Sequence, residues 1–259
     1  GANRFEVNKE AVVNLFKTVR NYPGVDDVGF SHFALSSVAS APEVIEEISS
    51  ILDAGTGGRW LSGQTGIETG SPQLMESHMR GKCKPFTPKE WPQVVINSFE
   101  TLSKNKWVPC ATLIIGLPRE TDKDVDLTID LLEELKGFKS LIVPLFFVSE
   151  GGLRNKTESF TLEDMTPKRS ELFLKCWEHN INWVPTIFEE WAPVTIKSRI
   201  VRHGLRFVVS YGINQCKKLI RRCRDDYNYD LLAMIKDIKS GNMDRKIRLL
   251  PFQEIFRRG

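Results

Sequence analysis

In "TGIETGSPQL" (65–74), Glu68 closes an apolar run and a Gly-Ser-Pro turn follows at once. A carboxylate in that place can accept hydrogen bonds from two vicinal hydroxyls or from an ammonium group. Two further clusters put reactive side chains at the ends of apolar runs. "FSHFALSSVAS" (30–40) supplies His32, Ser36 and Ser37, and "IIGLPRET" (114–121) supplies Gly116, Pro118, Arg119 and Glu120. In parallel α/β folds ligands sit at the carboxyl ends of strands, and a glycine there lets the backbone approach a flat ligand. Each cluster also has a plainer reading. Glu68 serves equally as a solvated strand-end charge or a helix-cap partner, and Glu120 as a charge favouring the next helix N-terminus. His32 reads as a structural histidine and the serines as turn and cap residues; no Ser-His-Asp order is visible.

The elements that must position these residues alternate along the first part of the chain. Asn8 caps a helix with Val12, Leu15, Phe16 and Val19 on one face, and "VDDVGFSHF" (25–33) reads as a strand. A capping box at Ser40–Glu43 precedes a helix through Leu52, and "RWLSGQTGIE" (59–68) is the next strand. Thr87–Glu90 is a second capping box, with Pro88 at the first helical position, ahead of Trp91, Val94, Val95, Phe99 and Leu102. "WVPCATLIIGLP" (107–118) is a strand, Thr121 opens a helix that Gly137 stops, and "SLIVPLFFV" (140–148) is the last strand. Near-continuous apolar strands separated by amphipathic helices predict an α/β fold with a parallel sheet. The period favours a partial (β/α) TIM-like barrel over residues 1–155. From about 160 the strand signals stop, so residues 156–259 are expected to be a helical C-terminal domain.

The 259 residues are 41% hydrophobic and 27% charged, with a formal net charge of +3, so bulk charge does not argue for nucleic acid. Five irregularly spaced cysteines do not suggest a disulfide framework and point to a cytoplasmic location. No apolar run approaches the roughly 20 residues that span a bilayer. The six tryptophans are expected in the core or at an interface between domains rather than as stacking platforms.

"GIETGSPQLMESHMRGK" (66–82) and "TLIIGLPRETDKDV" (112–125) together resemble the second half of the radical S-adenosylmethionine (SAM) barrel, in its cobalamin-binding type, over roughly residues 8–150. The resemblance implies reductive cleavage of SAM for radical chemistry, a 4Fe–4S cluster, and cobalamin as a further cofactor. It implies that Glu68 and Ser71 face the ribose and methionine part of SAM. Ile114, Ile115 and Gly116 would form the apolar ledge and backbone contacts for adenine, with Glu120 a strand-end structural or polar contact. The chain departs from the family's fifth-strand pattern: Thr112 stands at a glycine position and the glutamate falls one residue late.

The larger departure is the missing Cys-x-x-x-Cys-x-x-Cys loop, whose three thiolates hold the cluster. Cys83 and Cys110 are isolated, while Cys216 and Cys223 have no third partner. The expectation is therefore a C-terminal piece of a radical SAM enzyme, inactive alone, whose cluster-binding segment lies upstream and whose small-molecule substrate is unknown. Two other readings stand beside it. One is a (β/α) enzyme using Glu68 and His32 as an acid/base pair. The other is a non-catalytic scaffold with a basic helical surface, because every charged residue from Lys197 to Arg224 is a Lys or Arg. That stretch reads as a solvated helix face or as a surface for a nucleic acid or another anionic partner.

Overall fold

The computed structural model describes residues 8–25, 27–58, 60–150 and 158–240. Three strands, β1 (Gln64–Glu68), β2 (Cys110–Ile115) and β3 (Leu141–Phe146), form a parallel sheet in the order β1-β2-β3. Before the sheet come α1 (Lys9–Arg20), α2 (Leu35–Ser40) and α3 (Pro42–Ile51). The crossovers carry α4 (Pro72–His78) and α5 (Trp91–Lys104), then α6 (Asp122–Glu134). Two 29-residue helices follow, α7 (Pro167–Thr195) and α8 (Arg199–Tyr227), and then α9 (Leu231–Ser240).

Local sequence explains most of these boundaries. The Asn8 side chain accepts from Ala11 N, and reciprocal capping boxes at Thr87/Glu90 and Thr121/Asp124 open the turns leading to α5 and α6. The box expected at Ser40–Glu43 does not form. Ser40 ends α2, and Ala41 precedes α3 without a side-chain cap. The strand expected over 25–33 reduces to a single bridge, His32 to Gln64, held by Phe33 N–Gln64 O and Gln64 N–Ser31 O bonds.

Strand residues alternate between two faces. Ile67, Ala111, Leu113, Ile115 and Ile142 enter the main core with Trp91, Phe99, Leu102 and Leu132, whereas Thr112, Ile114 and Val143 stay half-buried and Leu145 is exposed. Trp91 and Trp107 are buried as expected, their indoles donating to Ile67 O (2.9 Å) and Ser49 Oγ (2.8 Å), but Trp177 and Trp191 stand exposed. The odd residues of β3 bond to β2, so Ile142 and Pro144 turn outward. Asn180 of α7 occupies that outer edge. Its Oδ1 accepts from Ile142 N and its Nδ2 donates to Ile142 O, both at 2.7 Å. Pro144 has no N–H to offer there, so the edge is closed to further pairing. The sheet is thus three parallel strands in sequential order, rather than a closed barrel, among the described residues.

Helix α7 links two clusters. Leu172 and Cys176 face the sheet core, while Leu174 and Ile181 pack with Ile220, Cys223 and Met234 of α8 and α9. No described helix is long and apolar enough to cross a membrane.

His179 of α7 is buried, with Nε2 2.9 Å from the Ser140 hydroxyl and Nδ1 without a partner among the described residues. Burial drives its pKa down to about 4, against an opposing hydrogen bond with Ser140. The folded state therefore favours the neutral ring. Its contribution is complete above the ordinary histidine pKa and disappears as pH falls from about 6.5 towards 4, a loss on the order of 3 kcal/mol. Urea titrations across this range are expected to show that acid sensitivity in the parent chain and a flatter profile in His179→Leu.

Candidate functional site

The turns after β1 and β2 lie side by side and are joined through buried polar side chains. Ser71, the N-cap of α4, accepts from Leu74 N at 3.3 Å and donates to Asp124 Oδ1 at 2.5 Å. The other carboxylate oxygen of Asp124 accepts from the Thr121 amide and hydroxyl at 2.9 and 2.6 Å. One turn further along α6, Thr128 Oγ1 accepts from Gly70 N (2.9 Å) and contacts Thr69 Oγ1 (3.1 Å). Burial opposes ionisation of Asp124, but the Ser71 and Thr121 hydrogen bonds outweigh it and hold the carboxyl below the usual range. His78 Nε2, at the end of α4, lies 2.9 Å from Pro118 O and adds a second tie between the two motifs.

Glu68 sits at a β-bulge, where the register of β1 on β2 shifts between Gly66 and Glu68. Its φ is +65°, a left-handed conformation rare for a residue with a side chain. At the bulge, Ile67 O accepts from both Trp91 Nε1 and Thr69 N. The Glu68 side chain folds back over Gly66, where an added methyl would overlap the carboxylate. Oε1 is paired with Lys82, and Oε2 has no hydrogen-bond partner among the described residues. Lys82 lies in the short turn Arg80–Cys83 and escaped the sequence reading, although it ends the motif (66–82) that carries the resemblance.

Glu120 has a different environment. Its side chain is 3% exposed; Oε2 accepts from Gly116 N (3.0 Å) and from Arg169 Nε (2.9 Å). Burial pushes the carboxyl above the usual carboxylate range, against the Arg169 and Gly116 hydrogen bonds. Gly116 adopts φ +80°, and the ring of Phe160 fills the place of any side chain there. Phe160 is fixed by its amide bond to Phe147 O (2.9 Å), by Phe146 beside it (5.3 Å) and by Arg169 over its ring (5.5 Å). Neither Arg169 nor Phe160 was signalled by the sequence, because both reach the strand ends from beyond β3.

The structure brings together Glu68, Ser71, Ile114, Gly116 and Glu120 at the carboxyl edge of β1 and β2. Ser71 and Glu120 are engaged within the protein, and the Ile115 side chain is wholly in the core. Ile114 is half-buried on the same sheet face as Gly66 and Thr112. His32 is elsewhere. It bridges Gln64 at the opposite end of β1, about 13 Å along the strand from Glu68, so the two do not form an acid/base pair. Ser36 and Ser37 belong to α2.

All five cysteines are free, and no group of three or more potential metal-ligating side chains occurs among the described residues. Burial raises the pKa of each thiol, which suits packing rather than thiolate ligation. These residues do not fit a 4Fe–4S cluster.

Replacing Arg169 with Leu leaves the Glu120 carboxyl buried without its counter-ion, at a cost of about 3 kcal/mol at neutral pH. The Glu120 pKa already lies above its unfolded value, so protonation favours the fold; the Arg169→Leu deficit is expected to shrink at acid pH. Denaturant midpoints at both pH values check this.

No protein-family model and no curated protein matches this chain.

Proposed function

We propose that this chain forms one side of a SAM-binding site of the radical SAM type, with the cluster ligands supplied from outside these residues. The observation that carries the reading is Glu68. It stands at the carboxyl end of a parallel strand, side chain 12% exposed, with one oxygen anchored by Lys82 and the other without a hydrogen-bond partner among the described residues. An anchored carboxylate of this kind can accept two hydrogen bonds from vicinal ribose hydroxyls. Sequential parallel strands, as in one sector of a (β/α) barrel, also support it.

The ribose side of the proposed site suits SAM better than the adenine side. Glu68 would hold the hydroxyls, and the Glu68–Lys82 pair would fix the carboxylate's orientation. The half-buried Ile114 would offer an apolar contact. The flat surface at Gly116 is covered by Phe160, so an adenine there requires that ring to turn away. Ser71 and Glu120 would act at one remove, by holding the two turns in place. Bound SAM would supply a sulfonium centre open to reductive cleavage; this chain would bind and orient it without carrying out that step alone. Cobalamin use and the reaction subtype rest on the resemblance only.

A second reading, a non-catalytic scaffold, is favoured by the way Phe160, Arg169 and Asp124 already occupy the polar and apolar valences of the strand ends. Calorimetric titration of the full chain with SAM separates the two. The SAM reading expects measurable affinity, roughly tenfold weaker in Glu68→Gln. It expects no change in Arg221→Gln and tighter binding in Phe160→Ala. Absence of binding in both the parent and Phe160→Ala favours the scaffold.

A further inference from the structure

At the amino ends of the strands, opposite to Glu68, the surface opens into a cleft. It has two adjoining lobes of about 430 and 550 Å³, and Trp60 and Glu190 line both. Leu61 and Val108, which lead into β1 and β2, and Lys139, ahead of β3, lie along it. The last turns of α7 contribute Glu190, Trp191 and Val194. That part of α7 is held in place by the Lys139–Glu190 ion pair and by Trp183 Nε1, which donates to Lys136 O at 3.1 Å. The volume of each lobe is in the range of small-molecule sites.

The cleft is lined by open indoles and by polar side chains that mostly donate. Trp191 is 43% exposed and Trp60 half-buried, and neither has an aromatic neighbour or a hydrogen-bond partner among the described residues. Lys106 lies in the lobe with Trp60, and its ammonium makes no ion pair or hydrogen bond among the described residues. Its backbone sets its position. It follows α5 in a left-handed conformation, φ +63°, where Gly or Asn is the usual choice. Its carbonyl accepts from Leu61 N at 3.0 Å, and its stem passes over Gly55, with Cγ 3.3 Å from where an added methyl would stand.

The acceptor side chains along the cleft are already engaged. The Glu190 carboxylate is taken by Lys139, and Asp27 Oδ1 accepts from Val28 N at 2.8 Å. The Ser62 hydroxyl donates to Val108 O at 2.9 Å, while those of Ser103 and Thr56 can donate or accept. The two indole N–H groups and the Lys106 ammonium can only donate.

We propose that this cleft binds a small aromatic carboxylate, its ring against the Trp60 and Trp191 indoles and its carboxylate on Lys106. Flat indole faces favour a flat apolar body, and unpaired donors favour a ligand that accepts. In the Lys106 lobe the charged side chains are Lys106, Lys139 and Glu190, so one positive charge is uncompensated. That balance suits a single carboxylate better than a phosphate dianion. A cationic ligand would find the same indoles, but with Lys106 beside them and both carboxylates engaged. The cleft is independent of the strand-end site.

The test is calorimetric titration of the full chain with naphthoate and with its neutral counterpart naphthalenemethanol. Naphthoate is expected to bind with a Kd below about 1 mM, roughly tenfold or more tighter than the alcohol. Lys106→Gln is expected to abolish that preference, and Trp191→Leu to weaken naphthoate roughly tenfold. Trp177→Leu, which removes an exposed indole elsewhere on α7, should leave both affinities unchanged. All three side chains are exposed, and a circular-dichroism melt checks the fold of each variant. Absence of naphthoate binding, or equal binding of the acid and the alcohol, overturns the proposal. So does naphthoate binding that Trp191→Leu leaves intact, or tighter binding of benzyltrimethylammonium than of naphthoate.

Discussion

The Ser71 hydroxyl, 2.5 Å from Asp124 Oδ1, ties the turn that leaves β1 to the helix that follows β2. Around it, the buried Thr69 and Thr128 side chains, the Gly70 amide and, nearer the surface, Thr121 complete a set of donors and acceptors in which each has a partner. A satisfied polar network in a low-dielectric interior permits few alternative arrangements, because moving any member strands another. The network therefore fixes the two strand-end turns relative to each other in addition to the pairing of β1 with β2 beneath them.

That constraint explains how Glu68 holds an unfavourable backbone. A left-handed conformation for a residue with a side chain costs on the order of 1 kcal/mol. It persists because Trp91 and Thr69 hold the Ile67 carbonyl just before it and Lys82 holds the carboxylate. On the β2 side, Gly116 with its positive φ is fixed through the Glu120–Arg169 pair. The outcome is an oriented carboxylate on one strand and an aromatic-covered glycine on the next. The first keeps one oxygen without a hydrogen-bond partner among the described residues; the second lies under the Phe160 ring.

How much of this was legible in the sequence depends on distance along the chain. Strands β2 and β3 were readable because each is a short apolar run, β1 because a Gly-Ser-Pro turn marks its end, and the Asn8, Thr87 and Thr121 caps because their partners lie three residues away. The run at 25–33 looked like a strand, yet it carries Asp27, Gly29 and Ser31 and gains a single bridge. The box at Ser40 lost to α2, a helix too short for periodicity to reveal. Ser71 shows a conflict between two kinds of signal. The resemblance turned it towards a ligand, while Ser followed by Pro is also a helix-start signature, and in the structure it caps α4. Asn180, Arg169 and Phe160 gave no local sign, because each acts on a strand far from it in sequence. Helix α7 runs on through Pro185 and Pro193, which local rules would treat as breaks.

The claim on which the account rests is that the two strand-end motifs form one unit through Ser71 and Asp124. A double-mutant cycle of Ser71→Ala and Asp124→Ala, read by equilibrium denaturation, measures that coupling. An interaction energy of about 1.5 kcal/mol or more is expected for a buried hydrogen bond to a carboxylate. Additive effects, within about 0.3 kcal/mol, would mean that the turns are held independently and would contradict the account.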